Sequence, residues 1–94
     1  MSEERARQTI FVDNDRVRVQ EWRFAPGAAV GHHRHEYDYV VVPIMDGTLR
    51  NVDAKGEHIN EMKTGRPYFR NAGVEHNVFN LNEGEFAFIE IELK

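Results

Sequence analysis

Turn-forming residues interrupt this chain at intervals of about 10 residues, and that spacing limits what it can build. Asp13-Asn14-Asp15, Pro26-Gly27, Asp46-Gly47, Ala54-Lys55-Gly56, Thr64-Gly65, Asn71-Ala72-Gly73 and Asn82-Glu83-Gly84 supply side chains that cap turns and backbones that tolerate left-handed geometry. The runs Arg16–Phe24, Tyr37–Ile44, Glu75–Phe79 and Glu85–Leu93 are rich in β-branched and aromatic residues, and no segment carries a helical stripe. Many short strands at this spacing predict an all-β sandwich or barrel. No repeat, low-complexity tract or linker divides residues 1–94, so a single domain is expected.

Alternation within the strands predicts their faces. At the C-terminus, Ala87, Ile89, Ile91 and Leu93 share one parity and should form core, while Phe86, Phe88, Glu90 and Glu92 share the other. The two phenylalanines then need cover from a second sheet or a second subunit, which favours a homodimer. In Arg16–Phe24 the apolar parity changes between Val17/Val19 and Trp22/Phe24, as a β-bulge near Gln20 or Glu21 would produce. Asp46-Gly47, between Val40–Ile44 and Thr48–Val52, reads as a two-residue type I′ hairpin.

A chain of 94 residues buries only about 60–65% of its unfolded surface, so its core needs help from a disulfide, a metal or a partner. With no cysteine, the first is excluded. Residues 1–8, MSEERARQ, hold Glu3, Glu4, Arg5 and Arg7 without an apolar run; they read as a flexible tail and not as a signal peptide, which makes the cytoplasm the expected compartment. The longest apolar stretch, Tyr39–Met45, falls far short of the about 20 residues that span a bilayer, so no membrane association is expected. A net charge of −4 with scattered basic residues argues against nucleic acid as a partner.

The histidines carry the chemistry. Four of the five fall in two clusters, Gly31-His32-His33-Arg34-His35 and Gly73-Val74-Glu75-His76, while His58 stands alone. In a strand, His33 and His35 point to one face about 6.5–7 Å apart, close enough to converge on one ion if a distant strand adds a third ligand. Imidazole suits zinc, iron, nickel and copper alike. A same-face histidine pair is also compatible with a solvated edge or a hydrogen-bonded interior pair.

Around the first pair stand Gly27 and Gly47; around the second cluster stand Gly65, Gly73 and Asn80. With these residues the chain resembles the cupin superfamily, whose first motif places two histidines and a glutamate between glycines and whose second runs glycine, proline, glycine, histidine, asparagine. The resemblance covers roughly Arg16–Leu93 and implies a jelly roll, the double-stranded β-helix, with one divalent metal inside the barrel on His33, His35 and His76. Asn71 replaces the second motif's proline and still favours a turn. The first motif's glutamate is missing: its two allowed positions hold Tyr39 and Val40, and Glu36 and Asp38 lie on the parity opposite to the histidines. His32 also faces the other way in a regular strand.

A three-histidine site leaves the charge of a divalent ion uncompensated and so favours a small chelating anion. The ligand set looks like that of three-histidine cupin dioxygenases, which implies Fe(II), with zinc, manganese or nickel as alternatives, and an oxidative reaction on a small organic acid or enolate. Short cupins of β-alanine degradation are also similar over Glu21–Val42 and Gly73–Val78. Tyr37 and Tyr39 share parity with the histidines and are candidate substrate-binding residues; Arg50, with Arg34, Arg66 and Arg70, is a candidate partner for a substrate carboxylate. A metal-containing binding or sensing module without turnover is the alternative reading, and a zinc hydrolase lacks an obvious general base. Because the ligands must be neutral, metal affinity is expected to fall below about pH 6.

Overall fold

The computed structural model describes residues 4–94. They form nine strands: β1 (Arg7–Asp13), β2 (Val17–Phe24), β3 (His33–Arg34), β4 (Asp38–Pro43), β5 (Gly47–Asp53), β6 (Gly56–Met62), β7 (Tyr68–Arg70), β8 (Glu75–Asn80) and β9 (Phe86–Leu93). Two sheets face each other, one in the order β1-β2-β9-β4-β7 and one in the order β3-β8-β5-β6. All the paired strands are antiparallel, and the expected jelly roll is the fold observed. The four β-rich runs of the sequence became β2, β4, β8 and β9; β1, β3, β6 and β7 carry weaker apolar patterns.

The register of β2 against β9 decides which side of the large sheet is the interior. It runs unbroken from Val17↔Leu93 to Phe24↔Phe86, so the even-numbered residues of both strands share a face. Phe24, Phe86 and Phe88 are buried on that face, together with Gln20, Glu90 and Glu92. This reverses the predicted orientation of β9: Ile89 and Ile91 are half-buried on the outer wall and Leu93 is exposed there. The reversal is physically admissible because the inward polar groups bond one another, which removes the cost of burying them unpaired. No bulge interrupts β2; the inward set is simply Arg18, Gln20, Trp22 and Phe24, and the register shift falls in β1 between Ile10 and Val12.

Along β2 and β9 the interior grades from apolar to polar. Phe24 and Phe86 stand at one end, then Trp22 and Phe88, then Gln20 and Glu90, and finally Arg18 and Glu92. The apolar end holds the core with Val41, Leu49, Met62 and Val78. Asn80 closes it: its buried Nδ2 donates to the carbonyls of Ala25 at 3.1 Å and Gly84 at 3.0 Å. The polar end surrounds a cavity.

Asp46-Gly47 is not a hairpin, since β4 and β5 belong to different sheets. Gly47 lacks the positive φ of a type I′ turn and is needed for space: a Cβ there would lie 2.5 Å from Cδ1 of Phe86. Asp46 instead accepts hydrogen bonds from Thr64 N at 2.8 Å and Thr64 Oγ1 at 2.9 Å. The tight hairpin joins β5 to β6, where Asp53 pairs with Gly56 and Gly56 has φ +126°. Of the flexible tail expected over residues 1–8, the described part finds backbone partners: Ala29 N donates to Glu4 O at 2.9 Å, and Arg7 and Gln8 belong to β1. Residues 1–3 lie outside the described residues.

Candidate metal centre

β3 and β8 pair so that His33 stands opposite His76. His35 follows the end of β3 yet keeps its register, because its N–H donates to Val74 O and its carbonyl accepts from Gly73 N, both at 2.8 Å. The turn that makes this possible needs Gly73 at φ +95°. The outcome is a convergent triad: Nε2 of His35 lies 3.0 Å from that of His33 and 3.2 Å from that of His76, and the ligand atoms of all three fall within 4.8 Å of one another.

Those spacings fit a metal. Nitrogens bonded to one ion at about 2.0–2.1 Å and about 90° apart are separated by about 3 Å. His33 Nδ1 donates to Gly31 O at 2.7 Å, which leaves its Nε2 lone pair facing the triad. Lone pairs brought this close repel unless a proton or a cation lies among them. Burial, reinforced by the neighbouring histidines, pushes His35 down to about 3. The same causes push His76 down to about 4, so both stay neutral and able to ligate at physiological pH. Among the described residues no carboxylate joins the group.

The triad opens on a cavity of about 800 Å³ between the sheets. Tyr39 lines it, with its ring stacked on that of His35. Burial raises the pKa of its phenol, so the hydroxyl keeps its proton. Tyr37 is not among the lining residues. Arg50, expected to meet a substrate carboxylate, lies outside this cavity: β5 turns its neighbours Leu49 and Asn51 inward, and the arginine points to the outer side, where it pairs with Glu57 at 2.8 Å and lies 5.0 Å from the centroid of Phe79. Arg34 and Arg70 line the cavity; Arg66 does not. His32 is exposed and bonds Glu75 at 2.8 Å, Asp38 accepts from Ala72 N at 2.7 Å, and Glu36 reaches the cavity rim without joining the triad.

Sequence reasoning missed the wall opposite the triad. Arg18, Gln20, Trp22, Glu90 and Glu92 all line the cavity. Arg18 holds Glu92 through two hydrogen bonds, of 2.7 and 3.2 Å, and Gln20 Nε2 donates to Glu90 Oε2 and Glu92 Oε1 at 2.6 Å each. Burial, ahead of every other influence, pushes the Glu90 carboxyl up to about 7. The signal lay in parity: these residues alternate in step with Trp22, Phe24, Phe86 and Phe88, the bulky aromatics that fill a barrel.

No protein-family model matches the sequence. Beta-alanine degradation protein BauB of Pseudomonas aeruginosa is 54% identical over 86 residues, which cover 92% of this chain and 90% of that protein. The crystal structure of a cupin domain from Bordetella pertussis superposes with a TM-score of 0.97 at 47% identity, covering 100% of this chain and 98% of the other. An RmlC-like cupin with a double-stranded β-helix fold from Methanocaldococcus jannaschii, 14% identical with a TM-score of 0.78 over 96% of this chain and 81% of its own, shares the fold alone. The barrel, the histidine triad and these likenesses agree: the chain belongs to the cupin superfamily, in the family of small cupins that includes BauB.

Proposed function

We propose that this cupin is a metal-dependent oxygenase that binds one Fe(II) on His33, His35 and His76 and oxidises a small chelating organic anion with dioxygen. One observation carries the reading: three convergent imidazole nitrogens, two of them on rings held neutral by burial, with no carboxylate in the group. Such a site leaves the charge of a divalent ion to be met by the ligand. Bound iron would supply the redox chemistry and the open positions that an acid and dioxygen share. The likeness to BauB supports a carboxylate met in β-alanine breakdown.

The chain's own residues would prepare the ligand. Arg34 and Arg70 place positive charge in the cavity wall beside the triad and favour a carboxylate. The Tyr39 phenol, held protonated, can only donate or accept a neutral hydrogen bond, and its ring fixes the plane of His35. Trp22, Val41 and Phe88 give the cavity an apolar side that limits water.

The reading is tested by elemental analysis of tag-free protein, wild type and His76→Ala, followed by oxygen uptake of the iron-loaded wild type with β-diketones, thiol acids, hydroxy acids and β-alanine. Near-stoichiometric metal lost in His76→Ala, with substrate-dependent uptake, is expected. Metal and ligand binding without uptake, with the ligand recovered unchanged, would replace the oxygenase by a binding module.

We also propose that the protein is a homodimer. Val12, Val19, Ile91, Val40 and Phe69 are successive cross-strand partners and form an apolar row across the outer face of the large sheet, with Val12 and Phe69 exposed at its ends. A second copy meeting this row would cover it, and sheet faces of this kind pack well on one another.

A further inference from the structure

Glu90 is 5% exposed, lines the cavity and is only half satisfied. Its Oε2 accepts from Gln20 Nε2 at 2.6 Å and, at 3.4 Å, from Trp22 Nε1. Its Oε1 has no partner among the described residues, and no fully buried side-chain nitrogen or oxygen lacks one, so Oε1 is open to the cavity. Nor does a cation within the wall neutralise it. Arg18 is committed to Glu92 through two hydrogen bonds. Arg70 lies over the ring of Tyr68, 4.5 Å from its centroid, and donates to Phe69 O. Gln20 spends both Nε2 protons on the two glutamates, and its Oε1 accepts from Gln8. An ionised Glu90 therefore needs a positive partner from outside the chain.

We propose that Glu90 is a second binding pole of the cavity, accepting a hydrogen bond from the ammonium end of an ω-amino acid whose carboxylate end faces the histidine triad. The proposal rests on the reading of the triad as a metal centre that holds an anion. It gives the cavity opposite electrical ends: a metal with neutral ligands on the β3–β8 wall and an uncompensated carboxyl on the β2–β9 wall. Trp22, Tyr39, Tyr68 and Phe88 also line the cavity, and Trp22 Nε1 already reaches Glu90 Oε2 at 3.4 Å. The titratable and charged groups around Glu90 are Arg18 from β2, Glu92 from β9, Tyr39 from β4, and Tyr68 and Arg70 from β7. Burial and Glu92 resist its ionisation, whereas Gln20, Trp22 and Arg18 assist it. An ammonium arriving at Oε1 must drive the proton off.

The test is isothermal titration calorimetry of β-alanine and of propionate, its amine-free counterpart, into the protein as purified, at pH 7 in two buffers of different ionisation enthalpy. Wild type should hold β-alanine roughly tenfold or more tighter than propionate, the scale of one charge-assisted hydrogen bond. Because the carboxyl is pushed up to about 7, β-alanine should release about half a proton per site and propionate none. Glu90→Gln keeps the shape of the side chain and should lose the preference and the proton release while binding propionate unchanged. Equal affinity for the two acids, no binding of β-alanine, no proton release by the wild type, or full β-alanine affinity in Glu90→Gln each overturns the proposal; the wild-type proton count does not depend on how the variant folds. His76→Ala separates the two readings: propionate affinity unchanged there removes the metal anchor, not the Glu90 pole.

Discussion

The ring of Tyr39 lies flat on that of His35, with centroids 3.8 Å apart and planes 15° from parallel. β4 supplies the tyrosine in register with Arg70 and Glu92, so its backbone is held by both neighbouring strands. The residue at one of the two positions allowed to the cupin glutamate thus packs on a histidine and adds no carboxylate. Tyr39→Phe should retain metal affinity, because it keeps the stacked face. Tyr39→Leu should lose roughly tenfold or more, the usual cost of removing a group that orients a metal-bound histidine. Competition titration against a chromophoric chelator reads both, and equal affinities in the two variants would show that the stacking has no such role.

The acid limb of metal binding should lie lower than free histidines imply. A histidine whose pKa is lowered on folding favours its neutral form; the stability it contributes is present above the ordinary value of about 6.5 and lost as pH falls through the folded value. With His35 at about 3 and His76 at about 4, protons begin to compete for these two ligands well below pH 6. Metal should therefore remain bound at pH 5 and leave as pH falls toward 4. Elemental analysis after stepped dialysis checks this, and half-release near pH 6.5 would contradict it.

The physics of barrel closure explains what was readable in the sequence. Strand runs and turn spacing mark the all-β fold locally, and the convergence of His33, His35 and His76 is legible because strand parity and motif spacing bring these side chains together without knowledge of the cavity. Orientation of β9 was misread because Ile89 and Ile91 look like core when the inside of a sheet is assumed to be wholly apolar. Here the inside also houses a polar site, so Glu90 and Glu92 go in and the isoleucines form the outer wall. Arg50 failed for a related reason: its side follows from which parity of β5 meets the core, and Leu49 takes the inner place. Asp46-Gly47 carries a hairpin dipeptide, but the chain crosses between sheets there, a long-range outcome that no local turn preference encodes.

Gly47 is required for space and not for backbone freedom. A methyl group at this position would sit 2.5 Å from Cδ1 and 2.7 Å from Cε1 of Phe86, whose ring is completely buried. Gly47→Ala should cost about 1–3 kcal/mol, the range for overpacking a core. For a domain of this size that lowers Tm by about 4–8 °C per kcal/mol. Gly84→Ala is the control, since a Cβ there meets nothing within 4 Å. Similar Tm values for the two variants would mean that the Phe86 ring moves aside freely.

The outer apolar row makes the dimer testable without touching the site. Val12 is 41% exposed and Phe69 49% exposed, so charges at these ends need not disturb the barrel. Val12→Glu combined with Phe69→Glu should convert the protein to a monomer in sedimentation velocity while its circular dichroism and metal content stay unchanged. A wild type that sediments as a monomer at high concentration would remove the dimer altogether.

Glu90 should make the barrel less stable as pH rises. Its folded pKa, about 7, stands above the ordinary 4.5, so between those values the folded state binds the extra proton and stability is greatest at the acid end. The contribution is complete below pH 4.5 and is lost as pH climbs through 7. A shift of this size corresponds to about 3 kcal/mol. His35 and His76 act in the opposite sense, losing stability toward acid, so the metal-free protein should be most stable a little below neutrality. Glu90→Gln cannot titrate and should remove the alkaline limb only. Thermal melts of metal-free wild type and variant from pH 4.5 to 8 should then diverge as pH rises from 4.5 through 7, with the variant gaining relative to wild type, and hold a constant gap above that. Parallel curves would mean that Glu90 is ionised in the fold as readily as in the unfolded chain.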